Sequence, residues 1–263
     1  MDLGLRGAKV LVTAASTGLG AATARQFSRE GAQVVIASRT LASLQETAGR
    51  ITAETGNPVY TYACDVTDEN AVIRLMKNAS ETLGGLDVLI INAGGPPSGT
   101  FEAFSLEAWR TATDLTLLSA VSLVRHALPH LQQSQRAAVL AIASVSVKQP
   151  IENLTLSNVV RPSVIGLMKT LSVEYGAQGI RFNSLLPSVI NTDRIDSLMQ
   201  ARAEKNGTTP DEERQKAAQA VPLGRLGEPE EFANVAVFVC SPAASYLNGV
   251  ALPVDGGMLK GTW

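Results

Sequence analysis

The stretch Lys9-Val10-Leu11-Val12-Thr13-Ala14-Ala15-Ser16-Thr17-Gly18-Leu19-Gly20 decides the fold. Its first five residues are apolar without alternation, the pattern of a short strand buried on both faces. Small residues and two glycines follow, and Ala21, Ala22, Ala24 and Phe27 then open a helical pattern. Strand, tight turn and helix in that order leave the free N–H groups and the positive end of a helix facing an approaching anion. Glycines there let the backbone approach a phosphate; tight packing is the competing explanation, and the order of the elements favours the phosphate.

The alternation continues along the chain. Residues 33–37, 59–64, 88–91, 138–143, 181–186 and 250–254 read as further strands of the same doubly buried kind, with amphipathic helices between them, such as 41–54 and 69–83. Seven strands alternating with helices require right-handed crossovers. The prediction is an α/β fold: a doubly wound, mostly parallel, seven-stranded sheet of the Rossmann type. No linker or internal repeat divides the 263 residues, so a single domain is expected.

Composition narrows the function classes. The chain is 45% hydrophobic and 17% charged with a formal net charge of −2, which excludes disorder and gives no electrostatic case for nucleic acid. Cys64 and Cys240 lie in apolar runs without metal-ligand spacing, so they read as buried free thiols in a reducing compartment, and no metal is expected. The longest apolar run, 137–147, is too short to span a bilayer, and residues 1–9 lack a secretion signal. These features predict a cytoplasmic protein without a membrane partner.

Two segments stand apart. Residues 114–131 carry apolar side chains around most of a helix, which predicts one face on the sheet and another on a partner subunit. Residues 192–222, helical and polar from Thr192 to Ala220, read as an insertion forming a substrate lid.

Several motifs, in order, carry a family likeness. The first turn resembles the TGxxxGxG turn of the short-chain dehydrogenase/reductase superfamily, with Ala14 in place of its first glycine. Asp65-Val66, Asn92-Ala93-Gly94, Ile180-Arg181-Phe182-Asn183, Pro187-Ser188-Val189-Ile190-Asn191-Thr192 and Asp255-Gly256-Gly257 are similar to the family's other signatures, with Ser188 in place of a glycine. The resemblance covers nearly the whole chain, which is similar in overall pattern to 3-oxoacyl-carrier-protein reductases. It implies a dinucleotide held by Thr13, Ser16, Thr17, Gly18, Leu19, Gly20, Ser38, Arg39, Asp65, Val66, Asn92, Ala93, Gly94, Arg161, Pro187, Ile190 and Thr192. It also implies a homo-oligomer, a tetramer.

Strand 2 ends in Ser38-Arg39. A carboxylate at that place would hold a ribose 2′-OH and select NAD; Ser38 stands there instead, and Arg39 beside it suits a 2′-phosphate. NADP is therefore the predicted cofactor.

In the family, a Ser and a Tyr hold the substrate oxygen, a Lys tunes the Tyr, and an Asn relays protons. Ser144 matches the Ser. The Tyr and Lys positions hold Ser157 and Arg161, and the Asn position aligns with Thr116, or with Asp114 two residues earlier. A serine hydroxyl donates a hydrogen bond but is no acid near neutral pH, and an arginine keeps its charge but releases no proton. Loss of a positioned general acid costs roughly 10²–10⁴ in rate, which leaves room for chemistry, because hydride transfer belongs to the cofactor. Lys148 is a rival acid. Tyr175, about five turns beyond 157 on the same helix, is too distant; His126 and His130 read as surface or interface residues, and Asn153, Asn158 and Glu152 could either orient a substrate or cap and flank the helix. Three functions follow: an NADP(H)-dependent oxidoreductase acting on a small carbonyl or alcohol with a non-standard proton donor; a catalytically inactive dinucleotide-binding sensor or partner subunit; or a non-redox enzyme using the same cleft. The lid's Ile195, Leu198 and Met199 suggest an apolar wall.

Overall fold

The computed structural model describes residues 1–262. Seven strands, β1 (Lys9–Thr13), β2 (Gln33–Ser38), β3 (Val59–Ala63), β4 (Val88–Ile91), β5 (Ala138–Ile142), β6 (Arg181–Pro187) and β7 (Ala251–Val254), form one sheet in the order β3-β2-β1-β4-β5-β6-β7. Every pairing is parallel, so the sheet is uniform where the sequence predicted only a majority. The helices are α1 (Gly18–Arg29), α2 (Leu41–Thr55), α3 (Glu69–Leu83), α4 (Leu106–Thr113), α5 (Ser119–Leu131), α6 (Thr155–Glu174), α7 (Asp193–Asn206), α8 (Pro210–Gln219) and α9 (Pro229–Cys240).

Successive strand residues point to opposite faces, and the apolar runs divide between two cores accordingly. Val10, Val12, Val34 and Ile36 meet Phe27 of α1, Leu44 of α2 and Phe232 of α9 on one face. Leu11, Val35, Leu89 and Val139 meet Val72 of α3, Leu123 of α5 and Val164 of α6 on the other. Phe27, Phe232, Leu11 and Leu123 are fully enclosed, and each such side chain contributes about 1.5–3 kcal/mol by leaving water.

Three readings need correction. β3 and β7 are not buried on both faces, because they are the sheet's edges and helices cover them only in part; Tyr60 and Leu252 stay exposed. Residues 114–131 do not begin a helix. The helical path starts at Leu106 and passes through a single π turn, Asp114–Leu118, before continuing as α5. On α5, Leu123, Val124, Ala127 and Leu131 face the core, while Val121, and Leu118 in the π turn before it, stay exposed among the described residues. Finally, 192–220 is two helices. Gly207 takes a left-handed conformation (φ 65°) that closes α7, and Pro210 opens α8 beside a reciprocal cap between Thr209 and Glu212.

Candidate active site

Strand order reverses between β1 and β4, so the loops leaving their C-terminal ends diverge and open a crevice. The two ends are tied together. Thr13 Oγ1 donates to the Asn92 carbonyl at 2.7 Å and accepts from the Asn92 N–H at 3.0 Å; Asn92 Nδ2 donates to the Ala14 carbonyl at 3.1 Å. Ala14 itself has φ 46°, a left-handed conformation in which a Cβ costs roughly 1–2 kcal/mol. That explains why glycine is the residue relatives place there. Gly20 has no such freedom: a Cβ would lie 2.5 Å from the Ala14 carbonyl oxygen and 2.9 Å from Asn92 Nδ2. Thr17 caps α1 without a side-chain hydrogen bond, so the first N–H groups of the helix remain free at the crevice.

The crevice is a cavity of about 940 Å³. All the predicted cofactor positions line it except Thr13 and Gly20, which shape the turn from behind. One end holds Ser38, Arg39, Asp65 and Val66. Ser38 Oγ is enclosed and has no hydrogen-bond partner. Asp65 accepts from the Thr67 backbone N–H (3.0 Å) and hydroxyl (2.8 Å), and these bonds, with a smaller pull from Arg39, hold its carboxyl below the usual range. The Cys64 thiol in the same wall is pushed up to about 11, chiefly by burial, and that of Cys240 to about 12 for the same reason. Both stay protonated and unreactive near neutral pH.

The other end holds the substituted residues. Ser144 lies two residues after β5, and its Oγ accepts from the Ser146 N–H at 3.1 Å. Ser157 and Arg161 sit one turn apart on α6. Arg161 Nε donates to Ser157 Oγ at 2.9 Å and Nη1 donates to the Ala143 carbonyl at 3.1 Å. A serine oxygen that accepts this bond keeps its own hydrogen free to donate. Arg161 lies deep in the protein with part of its surface open to the cavity. Burial, and then the nearby Arg194, pull its guanidinium down to about 10. It is a weaker base than the sequence implied, yet fully charged at neutral pH.

Thr116 is buried and its Oγ1 has no partner. It faces a void of about 20 Å³ that Arg161 also lines, enough for a single water. Asp114 is exposed, so of the two alignments only Thr116 faces the site. Lys148 is exposed and does not line the cavity. Asn158 bonds both backbone groups of Ile151 and thereby holds the loop before α6. Tyr175 packs on Phe182, and His126 lies 3.3 Å from Glu69, away from the cavity. Among the described residues, no three His, Cys, Asp or Glu side chains converge as a metal site. Ile195, Leu198 and Met199 do line the cavity, with Ile195 and Met199 also packed on Ala217 of α8.

Arg194 is the residue that sequence reasoning missed. It stands in the first turn of α7, where a positive charge opposes the helix dipole; that misplaced cation is the signal that would have found it. Its Nη2 donates to the Pro96 carbonyl at 2.9 Å. A Cβ at Gly95 would lie 3.0 Å from Arg194 Nη2 and 3.5 Å from Arg161 Nη2, so two guanidinium groups converge on one glycine. No carboxylate among the described residues acts on either charge.

The fold and this crevice define a Rossmann-type α/β protein with its ligand site at the topological switch point. Residues 13–259 match the family described as Enoyl-(Acyl carrier protein) reductase; the chain belongs to the short-chain dehydrogenase/reductase superfamily. Meso-2,3-butanediol dehydrogenase of Serratia marcescens is 34% identical over 248 residues, 94% of this chain and 93% of its own. The crystal structure of L-sorbose reductase from Gluconobacter frateurii, complexed with NADPH and L-sorbose, superposes with a TM-score of 0.94 at 32% identity, covering 99% of this chain and 100% of its own. An NADPH-bound short-chain oxidoreductase from Pseudomonas aeruginosa PAO1, described as containing an atypical catalytic center, gives 0.89 at 27% identity, covering 98% and 99%.

Proposed function

We propose that this protein is an NADP(H)-dependent oxidoreductase that moves hydride between nicotinamide and a small carbonyl or alcohol, with Ser144, Ser157 and Arg161 in place of a tyrosine acid. The observation that carries the reading is the Arg161–Ser157 hydrogen bond, which leaves the serine hydrogen free beside Ser144 in one cavity. The cofactor fits the residues present. The free N–H groups of α1 suit a diphosphate; the unpartnered Ser38 hydroxyl and the unpaired Arg39 suit a 2′-phosphate. When bound, the cofactor supplies or accepts the hydride. Ser144 and Ser157 then donate to the substrate oxygen, and Arg161 stabilises the charge that grows there as the C=O π bond breaks. The proton completing the alcohol comes from solvent, by way of the cavity or the void beside Thr116.

The helical pair 192–222 serves as the substrate lid in this reading, since its Ile195, Leu198 and Met199 wall the cavity. The exposed Leu118 and Val121, with Val159 and Val173 on α6, support a homo-oligomer, which we take to be a tetramer. Two free, buried thiols suit the cytoplasm. A binding-only protein is the second reading, favoured by the absence of an ordinary acid among the cavity residues beside Ser144.

One experiment separates them: NADPH deuterated on its donating face, incubated with the protein and a metabolite extract, with products read by mass spectrometry. A labelled product that disappears with Ser144→Ala is expected. No label, from protein that still binds NADPH, would overturn the oxidoreductase reading.

A further inference from the structure

The convergence of Arg161 and Arg194 has no use in the hydride reaction itself. Arg161 commits Nε and Nη1 to Ser157 and Ala143 and leaves Nη2 free; Arg194 commits Nη2 to Pro96 and leaves its other nitrogens free. Both arginines line the same cavity as Ser144 and Ser157, and their Nη2 atoms converge over Gly95. Two like charges drawn together without a carboxylate repel each other, and each is held below its ordinary value by lost water. An anion between them would remove both penalties, and the planar forks match a carboxylate.

We infer that the substrate is an oxo acid or hydroxy acid whose carboxylate is held between Arg161 and Arg194 while its carbonyl or hydroxyl oxygen lies at Ser144 and Ser157. This deepens the oxidoreductase reading and rests on it. The competing source of an anion is the cofactor's diphosphate. Against it, Thr192 is the residue that approaches the phosphate turn, its Cγ2 lying 3.6 Å from where a Gly18 Cβ would stand, whereas Arg194 turns toward the loop after β4.

The test measures binding and turnover separately. Protein saturated with NADP⁺ is titrated calorimetrically with pyruvate, acetoacetate and levulinate, which place the carboxylate at increasing distance from the carbonyl, and with their methyl esters. At least one acid should bind at least about tenfold more tightly than its ester, an affinity difference of about 1.4 kcal/mol. Arg194→Gln should abolish that preference and Arg194→Lys should restore part of it, with NADP⁺ affinity unchanged. Esters binding as tightly as acids in all three pairs would overturn the inference. So would an Arg194→Gln variant that loses NADP⁺ affinity but keeps the acid preference, since this assigns the arginine to the diphosphate. NADPH oxidation on the same probes reports on the reaction. Acid preference without oxidation sinks the reductase, and oxidation without acid preference sinks the carboxylate site.

Discussion

Replacing Arg161 with methionine should make the ligand-free protein more stable. The guanidinium is held down to about 10, first by burial and then by Arg194. Each tenfold loss of proton affinity corresponds to about 1.4 kcal/mol, so keeping the charge there costs roughly 3 kcal/mol relative to water. The sign follows: a cation whose proton affinity is depressed on folding destabilises the folded state wherever it is charged, which here includes all pH values below about 10. Methionine removes that cost and fills similar space. It also deletes the bonds to Ser157 and Ala143, at 2.9 and 3.1 Å, worth about 1 kcal/mol each. The net expectation is a gain of about 1 kcal/mol, or roughly 2–4 °C in Tm for a chain of this size. Urea denaturation at pH 7, without cofactor, measures it. A loss of 2 kcal/mol or more would refute the reasoning, because it would mean that the charge is compensated in the empty protein.

Other outcomes follow from the same geometry. Arg39→Asp should weaken NADPH binding about 10–100-fold, by loss of a charge-assisted contact, and leave NADH affinity equal or higher; fluorescence titration of both cofactors decides it. Gly20→Ala, whose Cβ meets the Ala14 carbonyl at 2.5 Å, should lose about 1–3 kcal/mol of stability from overpacking and most of its cofactor affinity, a pair of effects that thermal melts with and without NADPH separate. kcat/KM should show no acid or base limb between about pH 6 and 9 and should fall as pH rises through about 10, where Arg161 loses its proton. A rising limb near neutrality would point to a general acid or base other than Ser144, Ser157 and Arg161.

Where the chain is apolar and periodic, the fold was legible. β1 and β4 and the helix Glu69–Leu83 lie at the residues their patterns predict, because burial on both faces or one stripe leaves a strong signature. Edge strands mislead for the opposite reason: Val59 and Leu252 belong to β-branched and apolar runs, yet neither strand holds a fully buried residue, since a sheet's border is a property of topology. Gly207 and Pro210 were visible in 192–220, and read as punctuation they would have divided the segment. At the site, the cofactor positions came from the order of the motifs, and Thr116 from its spacing. Arg194 stayed hidden because its meaning lies in Gly95 and Arg161, 99 and 33 residues away in the sequence.

The π turn at Asp114–Leu118 bears on how this chain tolerates insertions and deletions. A π turn accommodates one residue beyond the regular helical count. Removing a single residue there would let the path from Leu106 to Leu131 become an uninterrupted α-helix while the segments on either side keep their faces, because the π turn had absorbed the extra residue. Ala112, Trp109 and Leu117 pack on Leu156 and Val160, the residues that precede Ser157 and Arg161 on α6. A one-residue deletion here would thus keep the apolar support of the helix that carries Ser157 and Arg161 and would instead shift Leu115 and Thr116, which line the cavity and its side void. Lineages descending from this sequence should therefore lose one residue here more readily than in α4 or α5 on either side.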